Sequence, residues 1–203
     1  MSLAASYRLL APVYDLFVGR ATARARERSL RRLPAGGARV LIVGIGTGLD
    51  APHLAPGNRY VGVDLTPAML ARVPRAPLDL ALVQGDAMRL PFADGAFDCV
   101  VLHLIVAVVP APARCLAEAA RVLRPGGTAL VLDKFLRRGE RAPLRRALNL
   151  LSRRIATRLD VVLEELLEAV PAFAVERDEA ALAGGWFRSL ELRKLTSAWS
   201  TTR

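Results

Sequence analysis

A glycine-rich turn is the strongest local signal for chemistry in this sequence. Residues 40–43 form a short apolar run, and Gly44, Gly46 and Gly48 follow it at alternate positions. Glycine permits a sharp backbone turn, and its missing Cβ lets a ligand approach the main chain closely. The third glycine stands one residue too early for a dinucleotide-binding fingerprint, and Leu49 occupies a position where that fingerprint has Gly or Ala. The spacing therefore favours a ligand other than a dinucleotide pyrophosphate.

Two acidic residues follow the next apolar runs. Asp64 stands 20 residues after Gly44, and Asp86 comes just past residues 80–84. A carboxylate at Asp64 can accept hydrogen bonds from both hydroxyls of a ribose, and Asp86 can accept one from an exocyclic amine. The alternatives are an acidic strand end that faces water for Asp64 and simple turn formation for Asp86. Together, the turn and the acids indicate a ligand site at the carboxyl ends of neighbouring strands.

Three further polar residues are candidates for work on a substrate. His103 ends an apolar run and is the one plausible imidazole base, because His53 is expected in a helix that the glycine turn opens. A satisfied core histidine is the alternative. Asp133 and Lys134 are adjacent in a strand, so their side chains alternate and at most one should face a substrate. We favour Asp133, which could attract an ammonium or take a proton; a surface salt bridge is the alternative.

The elements that must position these residues alternate between short β-branched runs and helical stretches, as in a parallel sheet covered by helices on both faces. The predicted strands cover residues 39–43, 59–63, 80–84, 97–103 and 128–134, with helices over 67–73 and 112–123 between them. Residues 124–127 are expected to stop the second helix. Beyond residue 135 we expect a basic amphipathic helix over 143–159, an acidic helix over 161–170, closing strands over 172–176 and 186–195, and a frayed tail over 196–203.

Length and composition suit one α/β domain: 203 residues, 53% hydrophobic and 24% charged, which excludes a disordered chain. The net charge of +10 comes almost wholly from arginine, since Lys134 and Lys194 are the only lysines. Two arginine clusters, at 20–39 and 137–158, predict an anionic partner such as anionic lipid, nucleic acid or an acidic metabolite. The alternative is a solvated helix face. Only 5% of residues are aromatic, which makes base stacking by a nucleic-acid-binding protein a weak hypothesis.

The cysteines and the hydropathy pattern indicate in which cellular compartment the protein is expected. Cys99 and Cys115 lie in apolar segments without metal-ligand spacing, so neither a disulfide framework nor a zinc site is expected. The amino terminus lacks the features of a signal peptide, and the longest apolar run, 99–109, is too short to span a bilayer. These features predict a cytoplasmic protein, with peripheral attachment to the inner membrane face if the arginines bind lipid.

Four motifs, in this order between residues 7 and 135, resemble those of the class I S-adenosylmethionine-dependent methyltransferases of type 11: VLIVGIGTG, YVGVDLTPAML, GDAMRLPFADGAFDCVV and RVLRPGG. The resemblance implies a doubly wound, Rossmann-like α/β fold with a seven-stranded, mainly parallel sheet, an antiparallel last strand and an N-terminal helical lid. It implies one methyltransferase domain over 1–203, made of a lid and basic helix (1–36), a cofactor-binding half (37–135), a substrate-side half (136–195) and the tail. S-adenosylmethionine is the implied cofactor, with S-adenosylhomocysteine as product and no metal.

The resemblance also assigns roles to particular residues. The three glycines lie along the methionine moiety, Asp64 binds the ribose, and Leu65 and Met69 pack on the adenine. The full implied set of cofactor-binding residues is Tyr14, Gly44, Gly46, Gly48, Asp64, Leu65, Met69, Asp86, Ala87, Met88 and His103; the catalytic candidates are His103, Asp133 and Tyr14. Ile42 departs from the family, which usually has an acid there to hold the cofactor's ammonium. We therefore expect weaker cofactor binding, or backbone carbonyls near Gly44 and His103 in place of that acid.

Within the family, HLIVAVVPAPARCLAEAARVLRPGG and the pair Tyr14-Asp15 look similar to compact bacterial phosphatidylethanolamine N-methyltransferases. The tyrosine-aspartate pair also occurs in quinone C-methyltransferases, and in both groups the N-terminal segment, here with Tyr7, is a lid over the cofactor. The lipid enzymes commonly have Asn-His where this chain has Asp133-Lys134. The leading hypothesis is thus methyl transfer to a small-molecule or lipid acceptor, such as a phospholipid amine at a membrane surface. Methylation of a soluble metabolite or quinone ring, and a non-catalytic cofactor-binding or nucleic-acid-binding module, are the alternatives.

Overall fold

Seven strands form one sheet in the order β3-β2-β1-β4-β5-β7-β6. The computed structural model describes residues 19–74, 79–139 and 160–196. The strands are β1 (Arg39–Val43), β2 (Arg59–Asp64), β3 (Leu80–Gln84), β4 (Phe97–His103), β5 (Leu123–Lys134), β6 (Phe173–Leu182) and β7 (Phe187–Lys194). The first five are parallel neighbours, whereas β7 runs antiparallel to both β5 and β6. The predicted doubly wound α/β sheet with an antiparallel last strand is confirmed.

In the part of the chain that the structure describes, four helices accompany the sheet: α1 over residues 19–30, α2 (Pro67–Leu70), α3 (Pro112–Val122) and α4 (Leu163–Ala169). The predicted helix after the glycine turn is wrong, because only a 3-10 turn, Ala51–His53, forms there. Pro52 and Pro56 lie within this short connection, and a proline beyond the first helical turn cannot continue an α-helix. Helix α2 also ends earlier than predicted, because Pro74 disfavours the helical conformation at the residue before it.

Two strand boundaries differ from the predictions by five residues or more; the others agree within one residue. Strand β5 begins at Leu123, five residues before the predicted start, because Leu123 pairs with Phe97 across an irregularity in the register. Residues 124–127 therefore belong to the strand that follows α3. Strand β6 extends to Leu182 through a run of exposed charges, which the apolar pattern could not reveal as a strand. Charged residues on such an edge strand oppose pairing with another sheet.

The central strands are buried on both faces, which explains their nearly continuous apolar sequences. On β1, Leu41 and Val43 belong to one core with α3 and α4, while Val40 and Ile42 belong to a second core with α1. The two cores hold the carboxyl ends of β1 to β4 in a fixed row. Residues that follow these strands are thereby brought to one edge of the sheet. The predicted basic helix at 143–159 and the segment before residue 19 lie outside the described residues.

Candidate active site

A cavity of about 300 Å³ lies at the carboxyl ends of the parallel strands. Its walls come from the glycine turn after β1, the ends of β2 to β4, the loop over residues 104–110, and one side chain of α1. Of the predicted cofactor-binding set, the cavity brings together Gly44, Gly46, Asp64, Leu65, Met69, Asp86, Ala87, Met88 and His103. Tyr14 lies outside the described residues, and Gly48 is not on the cavity wall. The location is the one where open α/β sheets bind ligands.

The glycine turn has its shape for two separate reasons. Gly44 has φ of 68°, and a Cβ there would lie 2.7 Å from Ile105 Cδ1, so a larger residue would collide with the opposite cavity wall. Gly46 has φ of 57° and a Cβ there would meet no close neighbour. Gly46 therefore contributes open main chain to the cavity, as the sequence analysis expected of a ligand-binding turn.

Asp64 ties the end of β2 to the glycine turn. Its Oδ2 accepts a hydrogen bond from the Gly46 N–H at 2.9 Å, and its Oδ1 accepts one from the Thr66 N–H, also at 2.9 Å. Burial raises the pKa of Asp64, and these two hydrogen bonds oppose the rise only in part. A carboxylate has about four lone-pair sites, so two remain for a ligand. The residue is thus both a brace for the turn and an acceptor that lines the cavity.

Asp86 and its neighbours form the far wall. Asp86 Oδ1 accepts a hydrogen bond from the Met88 N–H at 2.8 Å, so the turn-forming alternative is correct, while the residue also lines the cavity. Leu65 is 65% exposed, an unusual degree for a large apolar residue, and it contributes to the same cavity together with Met69. These side chains give the cavity an apolar surface beside a carboxylate, which suits a flat heteroaromatic ring with a polar edge.

His103 belongs to a buried network that the sequence analysis missed. Its Nδ1 lies 2.8 Å from Asp50 Oδ1 and its Nε2 lies 3.0 Å from Ser29 Oγ. Because a carboxylate only accepts, Nδ1 donates to Asp50, and in the neutral ring Nε2 accepts from the Ser29 hydroxyl. Both ring nitrogens are therefore engaged and the side chain is buried. This arrangement supports the alternative of a satisfied core histidine. Neither ring nitrogen is left to take a proton from a methyl-accepting substrate.

Asp50 is shared between His103 and a buried arginine. Arg26 of α1 donates from Nη1 to Asp50 Oδ1 at 2.8 Å and from Nε to Thr22 Oγ1 at 3.1 Å. Burial alone would raise the pKa of Asp50, but its interactions with His103 and Arg26 hold it well below its usual range. Nothing in the residue types marked this pair, since Arg26 counted among the surface arginines. The one available signal was an acid directly after the glycine turn.

Asp133 is buried and accepts backbone hydrogen bonds; it does not lie on the surface. Its side chain is fully buried; Oδ2 accepts from the Ala107 N–H at 2.9 Å and Oδ1 from the Lys134 N–H at 2.8 Å. Burial raises the pKa of Asp133. The surface salt bridge considered from sequence is therefore wrong. Neither Asp133 nor Lys134 lines the cavity; Asp133 instead anchors the loop over 104–110, which does.

The arginines of α1 divide into two groups. In and directly after α1, Arg28 donates to the Ala181 carbonyl, Arg31 pairs with Glu27, and Arg32 pairs with Glu179 of β6. The contacts of Arg28 and Arg32 hold α1 against the edge strand β6, and all three contacts use positive charge within the protein. By contrast, the exposed Arg20 and Arg24 line a groove between α1 and the end of β6. The anionic-partner hypothesis therefore rests on a smaller set of arginines than the sequence suggested.

Cysteine and metal chemistry have little support in the described residues. Cys99 and Cys115 are buried and unbonded, and burial raises the pKa of each thiol to about 12. Within residues 19–74, 79–139 and 160–196, no cluster of His, Cys, Asp and Glu could hold a metal ion. No helix in the same ranges has the length and apolar content needed to cross a membrane.

Comparison with known proteins decides the family. Residues 41–131 match a family model described as a methyltransferase domain. A phosphatidylethanolamine N-methyltransferase of Cereibacter sphaeroides is 33% identical over 189 residues, covering 90% of this chain and 93% of that protein. This chain belongs to the S-adenosylmethionine-dependent methyltransferases. The methyltransferase is also 39% identical over 132 residues to a demethylmenaquinone methyltransferase of Beutenbergia cavernae, covering 64% of this chain and 54% of that protein.

A solved structure supports the same fold. A methyltransferase whose structure was solved in complex with a methyltransferase activator of Haloferax volcanii aligns with a TM-score of 0.79, and the alignment covers 98% of this chain and 100% of that one. The identity is 20%, so this likeness concerns the fold alone. S-adenosylmethionine is the cofactor of the present protein. The cavity fits it: open main chain at Gly46, a carboxylate at Asp64 with free lone pairs, and apolar side chains at Leu65 and Met69.

We predict that Asp64→Ala weakens binding of S-adenosylhomocysteine at least tenfold, measured by isothermal titration calorimetry. The substitution removes a charged acceptor and also frees the Gly46 and Thr66 N–H groups, and hydrogen bonds to charged groups contribute about 1.5–3 kcal/mol. Asp79→Asn is the matched control, because Asp79 is an exposed acid near the opposite end of the sheet. Unchanged affinity in Asp64→Ala would contradict the assignment.

For Asp133 we predict a difference between two substitutions. Asp133→Ala leaves the buried Ala107 N–H without an acceptor and should lower the free energy of unfolding by about 1–3 kcal/mol in urea titrations. Asp133→Asn keeps an oxygen for that N–H. Because burial raises the pKa of Asp133, the wild-type protein loses stability as pH rises and this side chain becomes ionised. The stability of Asp133→Asn relative to wild type should therefore increase as pH rises from the ordinary aspartate pKa, about 3.9, through the raised pKa of Asp133. A constant difference would contradict this account.

Proposed function

We propose that this methyltransferase acts on the amine of a phospholipid such as phosphatidylethanolamine, at an anionic membrane surface. The observation that carries the proposal is the similarity to a phosphatidylethanolamine N-methyltransferase over nearly the whole of both chains. Helix α1 adds support, since its inner side contributes Arg26 to the cavity while Arg20 and Arg24 face outwards. A membrane that binds those arginines would contact the same helix that forms part of the cofactor site. This proposal includes a cytoplasmic, peripheral location on the inner membrane face.

Methylation of a quinone ring is the second candidate. The similarity to a demethylmenaquinone methyltransferase favours it, at higher identity but over a shorter stretch. Both acceptors are carried in membranes, so surface binding alone does not distinguish them. The acceptor atom must be identified directly, because one fold supports methyl transfer to several kinds of atom.

The cofactor supplies a methyl group already activated on a sulfonium sulfur. We propose that Asp64 accepts hydrogen bonds from the ribose hydroxyls and that Leu65 and Met69 pack on the adenine ring. Asp86 and the backbone of Ala87 then recognise the adenine edge. The loop over 104–110 contributes an apolar wall that keeps water from the methyl group. With the leaving group activated, alignment of the nucleophile and exclusion of water are the main tasks left to the protein.

Proton transfer needs no strong acid or base in this scheme. An ammonium headgroup must lose a proton before its nitrogen can attack, and we propose that this proton passes to water. Among the described residues that line the cavity, His103 is the only imidazole, and both of its nitrogens are already engaged. Its role is then to position Asp50 and α1. Tyr14, in the predicted lid, keeps its proposed role over the reacting groups.

The acceptor is tested with labelled S-adenosylmethionine and vesicles that contain phosphatidylethanolamine, phosphatidylglycerol and demethylmenaquinone. We expect label in the phosphatidylethanolamine fraction after extraction and chromatography. The Asp64→Ala variant should give little label, because cofactor binding is lost. Label in the quinone alone would support the second candidate. Label that enters only added water-soluble amines would contradict both lipid acceptors.

Membrane binding is tested separately with Arg20→Ser/Arg24→Ser. Each arginine near an anionic surface contributes about 1 kcal/mol, so the double variant should bind phosphatidylglycerol-rich vesicles roughly 20- to 30-fold more weakly in flotation at low salt. The control is Arg39→Ser/Arg59→Ser, which removes equal charge from the amino ends of β1 and β2, where both residues are exposed. Equal losses for the two variants would reduce the effect to net charge and contradict a specific α1 surface.

A further inference from the structure

Arg26 is the only lysine or arginine among the described residues that line the cofactor cavity. It is 6% exposed, a degree of burial rare for a charged side chain unless it is paired. The guanidinium comes from α1 and approaches the cavity on the side where the glycine turn and the end of β4 lie. It therefore faces a part of the cavity remote in the strand order from Asp86, which follows the edge strand β3.

The hydrogen bonds of Arg26 use only part of its fork. Nε donates to Thr22 Oγ1 and Nη1 donates to Asp50 Oδ1, whereas Nη2 has no hydrogen bond to the residues that the structure describes. Among the described residues, Nη2 is not one of the fully buried side-chain nitrogens without a hydrogen-bond partner, so it keeps some exposure. The planar guanidinium suits a carboxylate, and Asp50 holds it in place while one edge remains available.

Charge is distributed unevenly along the cavity. The carboxylates of Asp64 and Asp86 lie at the ends of β2 and β3, and the guanidinium of Arg26 lies towards β1 and β4. A ligand that matches this order has hydrogen-bond donors at one end and an anionic group at the other. S-adenosylmethionine has hydroxyls and an exocyclic amine in its adenosine part and a carboxylate in its amino-acid part. The cavity and the cofactor therefore match in only one direction.

Position 42 leaves the amino-acid part without the acid expected there. The Ile42 side chain is buried in the core with Val40 and Leu30, so it cannot contact the cofactor's ammonium. Beside the glycine turn lies a charged pair, Arg26 of α1 and Asp50, which directly follows the turn; Nη1 of Arg26 is 2.8 Å from Oδ1 of Asp50. This pair brings charged groups to the end of the cavity where position 42 has none.

We propose that Arg26 binds the carboxylate of the cofactor's methionine moiety through Nη2, and that Asp50 is the positioning residue that fixes the guanidinium. The inference rests on the proposed placement of S-adenosylmethionine in this cavity and is independent of the acceptor. It makes α1 part of the cofactor site, so that the amino-acid end is recognised by a helix outside the sheet. The interaction requires both a charge and the second terminal nitrogen of the fork.

The test compares binding of three ligands by calorimetry: S-adenosylmethionine, its decarboxylated form, which keeps the amine and the sulfonium, and methylthioadenosine, which lacks the amino-acid part. In Arg26→Gln we expect affinity for S-adenosylmethionine to fall roughly 10- to 100-fold, in line with loss of a charge-assisted hydrogen bond. Affinity for the other two ligands should change less than threefold. Arg26→Lys keeps a charge beside Asp50 but loses the fork, so we expect an intermediate loss.

Because Arg26→Gln leaves Asp50 buried without its cation, the double variant Arg26→Gln/Asp50→Asn removes both charges together. It should regain thermal stability while showing the same loss for S-adenosylmethionine alone. Methylthioadenosine binding at wild-type strength reports that the adenosine part of the cavity is intact. Equal loss for all three ligands in a folded double variant would overturn the proposal and leave Arg26 a structural role. Failure of the wild type to bind methylthioadenosine or S-adenosylmethionine would instead overturn the placement of the cofactor.

Discussion

One buried carboxylate joins the three elements on which the cavity depends. Asp50 lies directly after the glycine turn of β1, receives the guanidinium of Arg26 from α1, and contacts the imidazole of His103 at the end of β4. A buried charge without partners is strongly unfavourable, so these groups must come together when the chain folds. The ionised form of Asp50 is favoured by its two partners over the cost of burial. The distance between α1 and the sheet is therefore determined by charge pairing as well as by apolar packing.

Two other acids use the same physical principle with backbone partners. Asp64 accepts from the Gly46 and Thr66 N–H groups, and Asp133 accepts from the Ala107 N–H. Loops at the end of a sheet leave main-chain donors without strand partners, and a carboxylate satisfies them at short range. These hydrogen bonds fix the conformation of the glycine turn and of the loop over 104–110. Burial raises the pKa of both acids, which is the energetic cost of that support.

The high positive charge has more than one physical role. Arg28 of α1 and Arg32, which follows the helix, bind a carbonyl and an acid of β6, so they stabilise the position of the helix. Arg26 points inwards to the cofactor cavity, and Arg20 and Arg24 remain on the outer surface. A single helix thus connects the cofactor site with the surface that we propose for anionic lipid.

Local sequence patterns determined most of the strands, the parallel direction of the first five and most of the cavity. The runs that became β1, β3 and β4 have the predicted bounds, because a strand buried on both faces has a continuous apolar sequence with clear ends. Glycine spacing and the acids at strand ends located the site for a similar reason, since parallel strands bring their carboxyl ends to one edge. Only the tertiary structure decided the roles of Arg26, Asp50, His103 and Asp133. Whether a charged side chain faces solvent, a cavity or a buried partner depends on residues distant in the chain, and residue type and spacing carry no information about those partners.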